Sequence, residues 1–565
     1  MNAWRLAWRV SQHKPRYFWL GIIAFVLFFT IPAGFGYVLS RAFAALEDGR
    51  SGDVYRLAGL LFLIEAARMA TLTFGAIWFM QSWEFMRSLL RGNMLTGQLA
   101  SGGPDAAKPV ASAGEALPRF RDDTEDIASF VDSWIDVVGG LCFSVIALTV
   151  LISVNARATL VLVAPMMVVA LAAAALGNRL REVHRLDRVA TGFVTGLLGD
   201  TMGAATTIKV NRAEQPVLAK LKDVMDHRRS TAVRARVYEQ AIRSMGQSTA
   251  EIGLGLVILA ALGSVRRGEF GVAEMSLYLS YGGWLGFLPR MLGLMFARSQ
   301  QAKVAFKEMS RLVADSDPAN AVTHRPFPFE EREPPRPPKI TVERSPLDRV
   351  DVEGLGARFA GGGVEDLSFG IERGSFTVVT GPVGSGKTTL LRAMLGLAWP
   401  LEGWGQVRWN GSVVEDRAAF FVPPQTAYLS QVPHLVSDSL ADNVLLGSED
   451  AEQLATALRL AAVEGDVAAM ADGIDTMIGP RGLRLSGGQR QRVATARSLV
   501  QQPELLVVDD VSSALDVETE LRLWDNLARA GTTVLAVSHR QVALDRADQV
   551  IHLDGGRLME IVRSP

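Results

Sequence analysis

The sequence predicts a multidomain chain: an all-α, polytopic membrane domain followed by an α/β domain of the P-loop type. Three observations carry that expectation. Long apolar runs crowd the residues up to about 310, whereas from about 315 onward the chain reads as a soluble α/β domain. A proline-rich, charged stretch separates the halves, and a glycine-rich turn between an apolar strand and a helix lies in the second. With 565 residues the chain is also too long for one hydrophobic core.

Six stretches in the first half have the length and apolarity of spanning helices, which need roughly 20 mostly apolar residues each. They lie near 18–45, 55–84, 129–154, 158–180, 245–265 and 273–297. Only Asn155, Ala156 and Arg157 separate the third from the fourth, so a tight hairpin is expected there. Two connections, 88–128 and 181–240, are long and polar. The second holds a helical pattern from Arg179 through Arg188 and the basic Lys220, Lys222, Arg228, Arg229, Arg234 and Arg236. These connections and the N-terminal Arg5, Arg9, Lys14 and Arg16 carry most of the positive charge, which puts them and both termini in the cytoplasm. Arg266 and Arg267, in a short outer loop, count against that orientation but are outvoted. Ala42-Phe43-Ala44 resembles a signal-peptide cleavage site, yet the apolar stretch before it outruns an h-region, so cleavage is not expected.

Glu65 and Arg68, three residues apart, together with Glu251 and Arg290, fall in or near the spans. Charges at membrane depth are costly, so they either line a passage or pair with each other. A structural ion pair, or a position beyond the bilayer on a helix that projects into the cytoplasm, is the plainer expectation. The single cysteine, Cys142, excludes a disulfide within the chain and suits a reducing cytosol. The near balance of 58 Lys+Arg against 59 Asp+Glu gives no electrostatic reason for a nucleic-acid partner. Prolines and charges from Ala314 to about Asp348 mark an extended connector. The expected division is therefore a membrane domain over 1–313, a connector over 314–348 and an α/β domain over 349–565.

The strongest motif is Gly381-Pro382-Val383-Gly384-Ser385-Gly386-Lys387-Thr388, which fits G-x-x-x-x-G-K-[ST]. It follows an apolar strand, 376–379, and opens a helix expected over 389–397. Backbone N–H groups of such a turn curl around a β-phosphate, and the helix N-terminus adds its positive dipole end. Lys387 would reach the β- and γ-phosphates, and Thr388 would offer its hydroxyl to Mg²⁺. A second apolar strand ends in acids, Leu505-Leu506-Val507-Val508-Asp509-Asp510, and can deliver Asp509 to the same Mg²⁺. Between them lies Leu485-Ser486-Gly487-Gly488-Gln489 ahead of a helix expected over 490–499; a Ser-Gly-Gly turn at a helix start is a further anion site.

Taken together, these motifs resemble those of ABC ATPases, with Leu485–Gln489 as the signature sequence. Others follow in register: Gln431 resembles the Q-loop glutamine, Ser513-Ala514-Leu515-Asp516 the D-loop, and His539 the switch histidine. Phe359 sits where the family places an aromatic residue that stacks on adenine, and Thr389 continues the P-loop. The stretch from Gly114 to Thr124 looks like the first cytoplasmic loop of ABC exporters. Six spans, two long loops and a C-terminal ATPase are the order of an exporter half-transporter, so the resemblance covers the whole chain. It implies ATP and Mg²⁺ as cofactors and a head-to-tail pair of ATPase domains. ATP would be sandwiched between the P-loop of one and Ser486, Gly487, Gly488 and Gln489 of the other, with Asp516 close by.

Two departures from the family pattern stand out. The acidic strand normally ends Asp-Glu, the glutamate acting on the attacking water; here Asp510 is one methylene shorter. A general base must come within about 2.6–3.2 Å of its proton or act through one water. Pro480 stands where exporters often carry an acidic residue. The expectation is a site that binds ATP but hydrolyses it poorly, with an intact signature that completes a competent site on a different partner: a heterodimer. A homodimer with Asp510 working through water, an importer on the exporter architecture and an ATP-regulated channel are the alternatives. Lipids, amphipathic drugs and hydrophobic peptides all suit the apolar spans, so the substrate stays open among them.

Overall fold

A computed structural model of the chain describes residues 2–100, 113–266, 270–325, 343–359, 361–397, 402–448, 450–511 and 515–563. Two compact units make up the chain: Met1–Gly97 with Ala111–Phe327, and Gln98–Val110 with Pro328–Pro565. Most of the expected connector, 326–342, and the D-loop residues Ser513 and Ala514 lie outside the described residues.

The first unit is helical. Its elements are α1 (Ala3–Ser11), α2 (Pro15–Glu47), α3 (Ser51–Ala100), α4 (Ala113–Pro118), α5 (Thr124–Gly203), α6 (Ala205–Val210), α7 (Glu214–Arg266), α8 (Val272–Leu285), α9 (Phe287–Ser310) and α10 (Pro318–Ala321). Among the described residues three helices are long and apolar enough to cross a membrane: Pro15–Glu47, Ser51–Leu99 and Ala116–Val168. The last contains the expected break. Asn155 alone leaves helical geometry, at φ −158° and ψ 104°, and its Oδ1 accepts the Ala158 N–H at 3.0 Å, capping the segment that follows. The sixth expected span is also interrupted, at Gly286 between α8 and α9.

The polar connection expected over 181–240 is mostly helix. α5 runs on to Gly203, and α7 begins at Glu214. Polar side chains do not break a helix; the turn between them is made where Arg212 takes a positive φ of 50°. The segment expected to begin the connector is folded as well. Asp317 caps α10 through the Ala319 N–H at 2.9 Å, and Asn93 donates to the Ala321 and Thr323 carbonyls at 2.8 and 2.9 Å. Ala321 and Val322 are thereby fully buried in a core with Leu6, Val10, Leu90 and Met94.

A second core joins Phe143, Leu151, Leu162, Tyr278 and Tyr281. Its hydroxyls are satisfied inside it: Tyr281 donates to the Ala33 carbonyl at 2.6 Å, and Tyr278 to the Asn155 carbonyl at 2.8 Å. Helices α2 and α5 approach so closely that a Cβ on Gly139 would meet the Phe29 ring at 2.3 Å. Of the charges singled out in the sequence, Glu65 and Arg68 pair, with Nε donating to Oε2 at 2.9 Å, and the guanidinium covers the Phe28 and Trp284 rings at 5.4 and 5.9 Å. Arg290 lies over the Phe287 ring at 5.3 Å, and the Glu251 side chain is outside those described. A further pair, Asp132–Arg298 at 3.1 Å, went unseen in the sequence because its halves are 166 residues apart.

The second unit has two sheets. β1 (Arg349–Phe359), β2 (Gly362–Glu372), β4 (Glu402–Trp409) and β5 (Ser412–Val413) form an antiparallel sheet in the order β2-β1-β4-β5. The other contains β3 (Phe376–Thr380), β6 (Thr426–Leu429), β7 (Leu505–Asp509), β8 (Thr533–Val537), β9 (Gln549–Asp554) and β10 (Arg557–Arg563), in the order β10-β9-β3-β8-β7-β6. Strands β6, β7, β8, β3 and β9 are mutually parallel, and the full burial of β7 and β8 explains their unbroken apolar runs. The helices are α11 (Lys387–Met394), α12 (Arg417–Phe420), α13 (Leu440–Leu445), α14 (Ala451–Leu460), α15 (Glu464–Ala468), α16 (Gly487–Leu499), α17 (Val517–Arg529) and α18 (Gln541–Leu544). One core takes α11 through Leu390, Leu391 and Met394; another takes α16 through Val493, Ala494, Ala496 and Leu499.

Candidate functional site

Four neighbouring parallel strands, in the spatial order β3-β8-β7-β6, end on one edge of the sheet, and each releases a segment of the expected site there. Glycine-rich Gly381–Gly386 follows β3, His539 follows β8, Asp510 follows β7 and Gln431 follows β6. Ligands of open α/β sheets bind outside such carboxyl ends.

The turn after β3 requires glycine for steric reasons. Gly381 has φ +146° and a Cβ there would lie 2.0 Å from the Leu553 carbonyl; Gly386 has φ +97° and a Cβ would meet Val364 at 2.8 Å. Because Gly386 itself caps the helix in left-handed geometry, α11 opens at Lys387, two residues earlier than expected, and ends at Met394. The Lys387 ammonium donates to the Gly381 and Pro382 carbonyls, both at 2.8 Å, and lies 3.4 Å from Ser385 Oγ. Ser385 is buried beneath the turn, whereas Pro382, Val383 and Gly384 are exposed at its tip; Thr389 is half-buried in the helix.

Thr388 Oγ1 donates to Asp509 Oδ1 at 3.1 Å, joining the two halves of the expected metal site. The Tyr428 hydroxyl donates to the other oxygen, Oδ2, at 3.4 Å, a contact the sequence did not suggest. It arises because β6 lies beside β7, which only the sheet order reveals. Burial pushes the Asp509 carboxyl up from its ordinary value, while the bonds from Thr388 and Tyr428 pull it back. Burial likewise raises the Tyr428 phenol, which stays a neutral donor. Thr388, Asp509 and Gln431 offer hard oxygen donors, a set that fits Mg²⁺.

Asp510 adopts φ +51°, a region that aspartate visits more readily than most residues, and its N–H donates to the Val537 carbonyl at 3.1 Å. Its backbone is thus pinned to β8. Gln431 Nε2 donates to Asp510 Oδ2 at 3.3 Å, bringing together two residues 79 positions apart. His539 is exposed next to the buried Ser538, whose N–H donates to the Val379 carbonyl at 3.2 Å. Phe359, half-buried, ends β1 opposite Gly362.

The signature lies at the start of α16, three residues ahead of the expected helix. Ser486 Oγ accepts the Gln489 N–H at 3.2 Å while Gln489 Oε1 accepts the Ser486 N–H at 3.0 Å, a closed capping box. Gln489 also donates to Asp466 at 2.9 Å, and Asp466 pairs with Arg492 at 2.6 Å. Ser486 and Gly487 remain exposed, and Gly488 is half-buried. Pro480 opens a short 3₁₀ turn, Pro480–Gly482, just before this segment. Asp516 caps α17, accepting the Thr519 N–H at 2.9 Å; those bonds hold its carboxyl below the usual range.

The family pattern described as ABC transporter transmembrane region matches residues 18–285, and the one described as ABC transporter matches residues 364–513. The chain is 28% identical over 394 residues to the ATP-dependent lipid A-core flippase of Burkholderia orbicola (strain AU 1054), covering 68% of this chain and 63% of that protein. The chain thus spans less than two thirds of the length of this flippase. The probable multidrug resistance ABC transporter ATP-binding/permease protein YheI of Bacillus subtilis (strain 168) is 26% identical over 540 residues, covering 91% of this chain and 87% of its own. In fold the chain is similar to a bacterial Atm1-family ABC exporter solved with ATP bound, with a TM-score of 0.71 and 21% identity over 97% of this chain and 95% of the other.

Proposed function

The chain belongs to the ABC transporter family as a half-transporter of the exporter type, and from that premise we propose that it moves an amphipathic lipid or drug-like substrate outward across a membrane at the expense of ATP. The observation that carries the proposal is that the segments expected to bind phosphate lie on two separate faces of the domain. Gly381–Thr388, Asp509 and Gln431 gather on one sheet edge, while the Ser486–Gly487 turn stands exposed on a helix rooted in another core. ATP held on the first face of one chain would be covered by the second face of another.

In this reading the backbone N–H groups of the turn and the α11 N-terminus hold the phosphates. Lys387 leaves the loop carbonyls for the β- and γ-phosphates. Mg²⁺, when bound, screens the charge that develops on the phosphate oxygens. Thr388, Asp509 and Gln431 would hold it. His539 bears on the γ-phosphate, Phe359 stacks against the adenine, and Asp516 lies near the partner face. Closure of the two ATPase domains turns the helical bundle from inward- to outward-facing, a shift driven by the affinity of ATP for the closed state. Loss of the γ-phosphate reverses it. The names of the flippase and multidrug relatives support a lipid or drug-like cargo over a peptide.

A second half-transporter is part of the proposal. Leu186, Val189 and Phe193 are exposed along one side of the part of α5 that lies beyond the expected fourth span, an apolar stripe that suits a partner chain rather than water. The backbone of Asp510, held to Val537, cannot advance to make up for the missing methylene. A misplacement of ~1 Å costs about a hundredfold in rate, so the partner is a different chain whose own acidic strand ends in glutamate. Six spans in the inner or plasma membrane, with both termini and the ATPase domain cytoplasmic, complete the reading.

The test is the ATPase rate of the purified chain alone and with its co-purified partner. Hydrolysis by the chain alone is expected to be slow and to rise about tenfold or more in Asp510→Glu. Rapid turnover by the lone chain, abolished in Asp510→Asn, would replace the heterodimer with a homodimer in which Asp510 acts through a water. Substrate-stimulated hydrolysis without vectorial movement in liposomes would favour a channel or regulator instead.

A further inference from the structure

The shape of the signature turn depends on a side chain outside it. In the capping box at the start of α16, Ser486 Oγ accepts the Gln489 N–H and Gln489 Oε1 accepts the Ser486 N–H. The box closes only while the Gln489 amide has one of its two orientations. With the amide turned over, Nε2 would face the Ser486 N–H, donor against donor. Asp466, 23 residues away on α15, decides between them. Its Oδ1 accepts from Gln489 Nε2 at 2.9 Å, and an ionised carboxylate can only accept, so Nε2 is held there and Oε1 falls to Ser486. Asp466 is itself fixed. Its Oδ2 accepts from Arg492 at 2.6 Å, and the same guanidinium nitrogen donates to the Ala462 carbonyl at 2.6 Å. Val467, next to it, is buried in the core that holds Val493, Ala494 and Ala496 of α16, which keeps α15 against that helix.

We infer that Asp466 is a positioning residue for the nucleotide reaction: by setting the Gln489 amide it keeps the signature turn in the form that donates to phosphate. Both ends of that amide are engaged, one on Ser486 and one on Asp466, so Gln489 supports the turn and is not itself a contact to phosphate. Ser486 Oγ already accepts from Gln489, which leaves its own proton to donate. The N–H groups of Gly487 and Gly488 belong to the first turn of α16, where no helix carbonyl reaches them. One O–H and two N–H groups at a helix start suit a γ-phosphate. A turned amide would open the box, release the Ser486 N–H and let these donors drift from that arrangement. The inference rests on the reading that this turn covers ATP held by another chain, and it adds the residue that shapes the cover.

Two substitutions that cancel each other test it. In Asp466→Asn the new amide keeps its oxygen on the charged Arg492, the stronger bond, and turns its NH₂ to Gln489. The Gln489 amide must then turn over, and the box opens. Gln489→Glu alone sets two carboxylates against each other. In Asp466→Asn/Gln489→Glu the new carboxylate has one oxygen for the new amide and one for the Ser486 N–H, the Ser-x-x-Glu form of the box, at unchanged net charge. The full transporter is purified in detergent as it assembles. Hydrogen exchange at the Ser486 N–H is expected to quicken in each single variant and to return to the original rate in the double one. ATP hydrolysis is expected to fall about fivefold in each single variant, the factor of one lost hydrogen bond, and to recover in the double one. A role confined to the Asp466–Arg492 ion pair would not be repaired by a change at Gln489. Single variants without effect in either measurement, or a double variant no better than Asp466→Asn, overturn the proposal. Should Asp466→Asn melt early, the comparison of the double variant with it decides, because both carry the same altered contact to Arg492. Gly487→Asp loads the turn with charge and leaves Asp466 alone. If it stops hydrolysis while the Asp466 variants do not slow it, this inference fails by itself. If hydrolysis ignores Gly487→Asp, the turn does not cover ATP, and the inference falls with that reading.

Discussion

Two helices of the ATPase domain begin at glycine-rich turns, and they begin in opposite ways. At α11 the cap is Gly386 in left-handed geometry, which supplies no side-chain bond, and the Lys387 ammonium folds over the carbonyls of its own loop. At α16 the cap is Ser486, and a reciprocal pair of bonds with Gln489 already satisfies the first turn. The first turn is left open between strand and helix, which is where the proposed reading puts the phosphates. The second is complete in itself and offers its outer side, Ser486 and Gly487, to something beyond the sheet edge. In the proposed reading, a chain that carries one of each holds half of two sites.

The sharpest way to break this comparison is to remove the charge from the first turn. Lys387→Ala deletes a charge-assisted contact to phosphate of about 3 kcal/mol, roughly a hundredfold in affinity. Binding of a fluorescent ATP analogue is expected to fall by that factor. The melting temperature should barely move, because the ammonium bonds only groups of its own turn, the Gly381 and Pro382 carbonyls and the Ser385 hydroxyl. An affinity within threefold of the original would mean that the turn does not hold the nucleotide.

The second turn is tested by a change that its own helix welcomes. Gly487→Asp places a carboxylate in the first turn of α16, where the helix dipole favours it, so folding and ATP capture by Gly381–Thr388 are expected to stay intact. ATP-driven association of the ATPase domains should weaken at least tenfold, because the new carboxylate meets the γ-phosphate that the partner presents. At ~4 Å and an effective dielectric near 20, like charges repel by about 4 kcal/mol, ample for that loss. Association unchanged in an ATP-dependent sedimentation assay would strip the signature turn of its proposed role.

How legible each half was follows from the range of the forces involved. The P-loop needs eight consecutive residues and a strand ahead of them, so sequence spacing alone located it, down to the strand that the structure has as Phe376–Thr380. The start of α11 was misjudged by two residues because the cap is a backbone conformation of Gly386, not a side-chain signal. In the membrane unit, hydropathy registered where lipid-compatible residues lie but not where helices stop. The expected loop at 181–240 is helix on both sides of a short turn, since its polar side chains stay outside the hydrogen-bond ladder. Asn155 was legible as a break because only a few residues there are polar. Contacts that depend on sheet order or helix packing, such as Gln431 with Asp510 or Asp132 with Arg298, leave no trace in local spacing.

Tyr428 belongs to that last group and gives the smallest of the tests. Its hydroxyl is one of two donors on Asp509, with Thr388 on the other oxygen. Both oxygens of a buried carboxylate need partners, and the phenol supplies one without adding charge. Tyr428→Phe keeps the ring in its place beside β7 and removes only the donor, at a cost of about 1 kcal/mol for a single hydrogen bond. If Asp509 is part of the metal site, the loss should appear in the Mg²⁺ requirement. The Mg²⁺ concentration for half-maximal nucleotide binding is expected to rise about fivefold, while binding in the presence of a chelator stays the same. Should both conditions weaken together, the hydroxyl would be supporting the fold of the turn, and Tyr428 would have no part in the proposed metal site.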